Sequence, residues 1–248
     1  MSNTQLDTST TSAQAPDVLA SDAGRYWSQS SAVPWIQDLS HWRGRGRWTD
    51  DQTWRSMGER HFGMFEDLCL RARQPRPIRA MLEWGPGGGA NAVAFAREVK
   101  AFYGVDICPA NLAECGRQLS SAKFDGWHPV EIDAAHPAAC LEALATPIDF
   151  FLSTAVFQHV PGKTYGVEVV RIAHELLASP GIALIHIRYD DGSETLRPKQ
   201  GDYAKNAITF TSYRIEEFWQ IAGDAGFEVL SVVLSPADCY ASYWLRKG

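Results

Sequence analysis

Met81-Leu82-Glu83-Trp84-Gly85-Pro86-Gly87-Gly88-Gly89-Ala90-Asn91 is the stretch on which the fold turns. A mostly apolar strand runs directly into four glycines and then into an alanine-rich helix. Glycine is needed where a chain turns tightly or must let a ligand approach its backbone. Open α/β sheets bind ligands at the carboxyl ends of their strands, and this loop lies at such an end. A second strand, 101–105, ends in Asp106, 21 residues past Gly85. That spacing puts the acid on the neighbouring strand tip, where it can accept hydrogen bonds from ribose hydroxyls. Loop and acid together specify an adenosine-containing cofactor better than either does alone. The plainer reading, a tight turn with a helix-capping aspartate, explains each feature singly but not their pairing.

Outward from the loop, apolar runs predict strands at 78–84, 101–105, 130–132, 148–153, 182–188 and 228–234. Helical stretches at 90–99, 109–119, 137–145 and 164–178 separate the first five. Such alternation predicts a parallel sheet with helices on both faces. The ending differs. A helix at 213–225 leads into the sixth run, Ser235-Pro236-Ala237-Asp238 reads as a turn, and 239–245 returns as a strand. The expected fold is therefore α/β: a Rossmann-like, doubly wound, mostly parallel seven-stranded sheet with a C-terminal antiparallel hairpin and an N-terminal helical lid. Residues 1–22 offer little to bury and are expected to be disordered. Residues 23–77 form the lid segment. It holds Trp27, Trp35, Trp42, Trp48 and Trp54, and a helix from Asp50-Asp51 through Arg73 with an apolar stripe of Phe62, Phe65 and Leu68. Residues 78–248 form the cofactor-binding domain.

The formal net charge of −6 gives no electrostatic reason to bind nucleic acid. The one basic run is Arg43, Arg45 and Arg47, which suits a carboxylate or phosphate. Cys69, Cys108, Cys115, Cys140 and Cys239 form no Cys-x-x-Cys pair and read as reduced thiols. No apolar run approaches a membrane span, and the N-terminus has no signal-peptide pattern. The expectation is a cytoplasmic protein acting on a small-molecule substrate, with no nucleic acid or membrane partner. A homodimer is left open.

Gly85-x-Gly87-x-x-Ala90 would formally serve a nicotinamide dinucleotide. Glu83, Asp133 and the antiparallel hairpin count against that reading. With these residues the chain resembles the class I S-adenosylmethionine-dependent methyltransferase family, of the small-molecule O-methyltransferase type. Glu83-x-Gly85-x-Gly87-x-Gly89 matches the family's first motif. Asp106, closing Tyr103-Gly104-Val105-Asp106, matches its ribose-binding acid. Asp133, in Glu131-Ile132-Asp133-Ala134, matches its adenine-edge acid, and Leu177-Ala178-Ser179-Pro180-Gly181 looks like the turn before its fifth strand. The resemblance covers residue 78 to the C-terminus. It implies S-adenosyl-L-methionine as cofactor. Glu83 would then lie near the methionine portion and Gly85, Gly87 and Gly89 beneath the cofactor. Asp106 and Ile107 would lie at the ribose, Asp133 and Ala134 at the adenine, and Ser153 at the fourth strand tip.

That fourth strand exits through Thr154-Ala155-Val156-Phe157-Gln158-His159. His159 is the candidate general base, since imidazole titrates near neutral pH. Its alternative is a structural hydrogen bond of the loop. Alternation puts His186, Arg188 and Asp190 on one face of the fifth strand, and Arg188 is a candidate substrate contact. Asp190 and Asp191 would hold Mg²⁺, as some sugar and catechol methyltransferases do by resemblance, or else cap the turn before Gly192. Tyr26, Trp27 and Trp42 of the lid, with Tyr203 of the loop 192–211, are candidate substrate contacts; aromatic packing of a small subdomain is their alternative. The leading function is methyl transfer to a hydroxyl of a sugar or secondary metabolite. N- or C-methylation, an NAD(P)-dependent oxidoreductase and a non-catalytic cofactor-binding protein are the rivals. The lack of an Asn-Pro-Pro-Tyr-like motif after the fourth strand counts against nucleobase amines.

Overall fold

The structure, a computed structural model, describes residues 13–144 and 146–248. Seven strands make one sheet: β1 (Ala80–Trp84), β2 (Ala101–Asp106), β3 (Trp127–Glu131), β4 (Ile148–Ser153), β5 (Leu177–Arg188), β6 (Phe227–Ser235) and β7 (Tyr240–Lys247). Their order is β3-β2-β1-β4-β5-β7-β6. The first five are parallel, while β7 runs antiparallel to both β5 and β6. Strand order reverses between β1 and β4, so a crevice opens outside their carboxyl ends, as in other doubly wound sheets.

The period-two alternation of each strand feeds two cores. Leu82 and Trp84 of β1 face one side with Ala183, Ile185 and Ile187 of β5. There they meet α7 (Lys163–Leu176) and α9 (Ile215–Asp224), through Val169, Val170 and Phe218. Met81, Phe150, Leu152, Ile182 and Leu184 face the other side. They are covered by α3 (Asp51–Ala72), α4 (Ala90–Phe95) and α5 (Pro109–Ser121), through Phe62, Phe65, Phe95 and Leu119. Asp50 starts α3 by accepting the Thr53 N–H at 2.7 Å. α6 (Cys140–Ala143) is one short turn, preceded by the 3-10 turn Pro137–Ala139.

Two expectations are corrected. Leu177-Ala178-Ser179-Pro180-Gly181 is not a turn. It is the first part of β5, Leu177 pairing with Ile148, with a register shift before the Phe150–Ile182 pair. Ser-Pro-Gly reads as punctuation, yet the chain stays extended because a bulge absorbs the irregularity. The stretch 1–22 is not without structure throughout. α1 (Pro16–Ser28) begins inside it, with Pro16 at its first turn. Leu19, Ala23 and Tyr26 recur at helical spacing and pack on Tyr203, Ala207 and Phe210. Residues 1–12 lie outside the described residues. Among the described residues, no helix is long and apolar enough to cross a membrane.

The tryptophan-rich segment becomes α2 (Pro34–Leu39), a strap, and the 3-10 turn Gly46–Thr49 before α3. Its indoles are fastened at their polar ends. Trp48 donates to the Asp38 carbonyl at 2.7 Å, Trp54 to the His41 carbonyl at 2.7 Å and Trp42 to Asn111 Oδ1 at 2.9 Å. α8 (Tyr203–Asn206) sits in the loop after β5 and touches α1.

Candidate active site

A cleft opens at the carboxyl ends of β1, β2 and β4, the usual place for a ligand in an open α/β sheet. One wall is apolar: Trp84, Val105, Ile107 and Ile132. Gly85 and Gly87 form the floor beside Asp106. Asp106 is buried. One oxygen accepts the Cys108 N–H at 2.8 Å and the other a long contact from Asn111 Nδ2 at 3.4 Å, with the Gly87 and Ile107 N–H groups also favouring the charge. Burial pushes its carboxyl up to about 6, against the backbone hydrogen bonds that favour the charge. A carboxylate half-engaged in this way has lone pairs left for ribose hydroxyls.

Gly85, Gly87, Asp106, Ile107 and Ala134 therefore line the cleft as the sequence predicts. Four other predicted cofactor residues do not. Glu83 points to the opposite face from Trp84. It is buried behind the wall, with Oε1 accepting from Asn91 Nδ2 at 2.5 Å and Oε2 unpartnered. Burial raises its carboxyl to about 8. Asn91 also donates to Thr154 Oγ1 at 3.0 Å, so Glu83 reaches the cleft wall only through its neighbours. Gly89 caps α4 in the left-handed conformation, φ 84°, and a Cβ there would lie 3.0 Å from the Cys115 Cα. It serves the α4–α5 approach. Asp133 has a side chain 69% exposed. Its Oδ1 accepts the Ala135 N–H at 2.8 Å, capping its own turn, while Ile132 and Ala134 face the cleft. Ser153 is buried and donates to the Trp84 carbonyl at 3.3 Å, tying β4 to β1. Thr154, Ala155 and Val156 supply the wall instead, Ala155 with a left-handed backbone at φ 57°.

The strap roofs this site. Leu39, Ser40 and His41 line it, and the Ser40 carbonyl accepts the Gly88 N–H at 2.6 Å. A Cβ at Gly88 would lie 2.3 Å from the His41 carbonyl oxygen. The third glycine of the loop is thus required by the strap's approach. Spacing along the sequence carried no sign of it.

His159 lines the cleft. Its Nδ1 contacts the Ala207 carbonyl at 2.6 Å. A carbonyl only accepts, so Nδ1 carries the proton and Nε2 keeps a lone pair, which faces the Gln158 amide nitrogen at 3.2 Å. Burial lowers the imidazole to about 4, well below the near-neutral value expected of it. Trp27 lines the cleft edge-on to His159, 4.9 Å between ring centres, and donates to the Tyr203 hydroxyl at 2.9 Å. Tyr203 in turn donates to the His159 carbonyl. Tyr203, Tyr26 and Trp42 are not on the cleft wall. Tyr203 braces His159, Tyr26 is buried against Trp27 and Tyr203, and Trp42 holds the strap on Asn111. Arg188 is also off the wall, over the Tyr240 ring at 5.8 Å.

The metal expectation does not hold. Asp190 Oδ1 accepts the Gly192 N–H at 2.8 Å and Asp191 Oδ1 the Ser193 N–H at 2.9 Å, two successive turn caps. Among the described residues no three His, Cys, Asp or Glu side chains converge as metal ligands. Arg43 pairs with Asp51 and Arg47 with Asp38 at 3.1 Å, so two of the three basic residues brace the lid itself.

The sequence pattern of the Methyltransferase domain family matches residues 57–232. No curated protein matches the chain. Among solved structures, it resembles the N-methyltransferase NodS from Bradyrhizobium japonicum WM9 in complex with S-adenosyl-L-homocysteine. Identity is 15% and the TM-score 0.56, over 76% of this chain and 86% of that one. An S-adenosylmethionine-dependent methyltransferase from Clostridium acetobutylicum ATCC 824 gives 11% identity and a TM-score of 0.59, over 80% and 92%. The pyocyanin biosynthetic protein PhzM gives 18% and 0.51, over 74% of this chain; the match spans 55% of PhzM's own length. These likenesses show a shared fold. With the match over 57–232, the sheet order and the glycine loop, the chain belongs to the methyltransferase-domain family and is a class I S-adenosylmethionine-dependent methyltransferase.

Proposed function

We propose that the enzyme methylates a hydroxyl of a small molecule, a sugar or a secondary metabolite, with His159 as general base. The observation that carries this reading is the tautomer of His159: Nδ1–H donates to Ala207, so the Nε2 lone pair is the one free to take a proton. The cofactor fits the residues present. Gly85 and Gly87 would lie under it, Asp106 would hold its ribose, and Ile107, Ile132 and Ala134 would hold its adenine. S-adenosyl-L-methionine, when bound, supplies an electrophilic methyl on a sulfonium and departs as the neutral thioether. The acceptor oxygen forms the new C–O bond, and His159 Nε2 takes the proton that oxygen gives up. Gln158 holds the imidazole until the acceptor hydroxyl replaces it. Tyr203 and Trp27 brace the loop that carries it, and holding acceptor and base in line favours the transfer.

His159→Ala tests this. kcat should fall by about 10²–10⁴-fold while S-adenosylhomocysteine affinity by calorimetry stays nearly unchanged. A base lowered to about 4 stays neutral at higher pH, so wild-type kcat should drop only as pH falls through that value. The acid limb should vanish in the variant. A variant that keeps its rate would move the reading to an acceptor that needs no base, such as an amine.

A further inference from the structure

The face of the sheet covered by α3 and α4 changes character toward the carboxyl ends of its strands. Along β1, Met81 gives way to Glu83. Along β5, Ile182 and Leu184 give way to His186 and Arg188. β7 repeats the change in register: Trp244 pairs with Leu184, Ser242 with His186 and Tyr240 with Arg188. α3 contributes His61, whose Nδ1–H donates to Asn91 Oδ1 at 2.8 Å. The result is an arc of polar side chains inside the molecule. It starts at Thr154 on the cleft wall and runs through Asn91, Glu83 and His61 to His186, whose ring centre lies 5.2 Å from that of His61. From His186 it passes to Tyr240, 6.3 Å away, which Arg188 and Gln158 both meet, and Gln158 returns it to the wall at His159.

Buried polar atoms are nearly always hydrogen-bonded, so unpartnered ones in one place call for an explanation. Glu83 Oε2, His186 Nε2, Arg188 Nε and Gln158 Oε1 are all buried without a partner, and all lie on this arc. Arg188 is the decisive member. Its guanidinium is in no ion pair among the described residues. It carries a permanent charge, and its geometry suits a carboxylate. Tyr240 meets both Arg188 and Gln158, and the Gln158 amide meets His159 Nε2 at 3.2 Å, so an anion held by Arg188 would lie behind the proposed base, one side chain away.

We infer that the arc is the polar subsite of the methyl acceptor, and that Arg188 selects acceptors bearing a carboxylate. Gln158 and His186 would meet the acceptor's remaining polar groups. This rests on the small-molecule reading above, and it narrows that reading to hydroxy acids.

Binding tests it without turnover. Wild-type protein saturated with S-adenosylhomocysteine is titrated with benzoate and with benzamide, followed by tryptophan fluorescence, which Trp27 beside His159 should report. Benzoate should bind at least about tenfold more tightly than benzamide, the size of a charge-assisted hydrogen bond. Arg188→Gln should abolish the preference while S-adenosylhomocysteine affinity, measured separately, stays unchanged and shows that the variant is folded. Equal binding of the two probes, failure of benzoate to bind at millimolar concentration, or a preference that survives in Arg188→Gln would overturn the inference. Failure of methyl transfer to hydroxyls would leave this binding result standing, so the two readings fall separately.

Discussion

Asp106 and Glu83 stand on adjacent strands and burial raises both carboxyls, but their side chains face opposite ways. Asp106 faces the cleft. Asp106→Ala should keep the fold and lose about tenfold to a hundredfold in S-adenosylhomocysteine affinity by calorimetry, the worth of charge-assisted hydrogen bonds. Unchanged affinity would remove Asp106 from the cofactor site. Glu83 faces the interior and is raised from 4.5 to about 8. The folded chain then keeps a proton that the unfolded chain releases, so wild-type stability falls as pH rises across that window. The slope is at most ~1.4 kcal/mol per pH unit. Glu83→Gln keeps an oxygen for Asn91 and has no proton to lose. In denaturant melts of ligand-free protein, the variant should gain on wild type from the acid to the alkaline end of the window. Parallel pH profiles would show that Glu83 does not titrate there. The two acids also mark what the sequence made legible. Asp106, Gly85, Gly87, Ile107, Ala134, His159 and Trp27 line the cleft, and strand-tip spacing, a local property, made most of that legible. Glu83 and Ser153 sit at the expected strand ends but turn away from the cleft, and Asp133 caps its own turn. A strand side chain flips with each residue, and motif spacing alone does not say which face meets the ligand. Asn91 and Thr154 went unnoticed because their roles arise only when β1, β4 and α4 meet.

Among the elements, the strap between α2 and α3 departs most from what its sequence suggested. The lid segment's five tryptophans left substrate stacking and packing of the lid open, with Trp27 and Trp42 the candidate contacts. Only Trp27 reaches the cleft, while Trp42, Trp48 and Trp54 spend their indole N–H groups fixing the strap's own backbone and its seat on Asn111. Aromatic composition is the same for either use, so composition could not separate them. Gly88→Ala tests the strap directly. The added carbon would meet the His41 carbonyl, and overpacking of this kind costs about 1–3 kcal/mol. The expected outcome is a lower melting temperature with faster hydrogen exchange at residues 39–42 and little change in the sheet. Exchange spread evenly over the molecule would mean that the strap and sheet open as one. β5 carries a similar lesson, since Ser179-Pro180-Gly181 has turn composition but keeps its place in the ladder.

At the scale of the whole molecule the sequence was read most fully. Seven strands, the parallel block and the returning hairpin all follow from apolar runs and their punctuation, and the structure has them in the expected chain order. The layering was less visible, because which helix covers which face depends on crossover handedness and not on any residue. The cleft is walled by the sheet and roofed by α1, α2 and the strap, so a ligand filling it would touch both. S-adenosylhomocysteine at a hundred times its Kd should therefore stabilise the protein by about 2.7 kcal/mol. Hydrogen-exchange protection should rise in residues 34–42 together with the strand tips. Protection confined to the strand tips would show that the roof does not close on the ligand.

The Ser40 carbonyl on the Gly88 N–H has a consequence in time as well as in space. If a molecule entering or leaving the cleft has to part that contact, the opening belongs to the chain, whatever the visitor. Arrival is then clocked by loop motion rather than by collision. S-adenosylmethionine and S-adenosylhomocysteine should load at nearly the same rate, well below the diffusion limit, and differ mainly in how long each stays. Residence, more than encounter, would decide which of the two occupies the enzyme between turnovers.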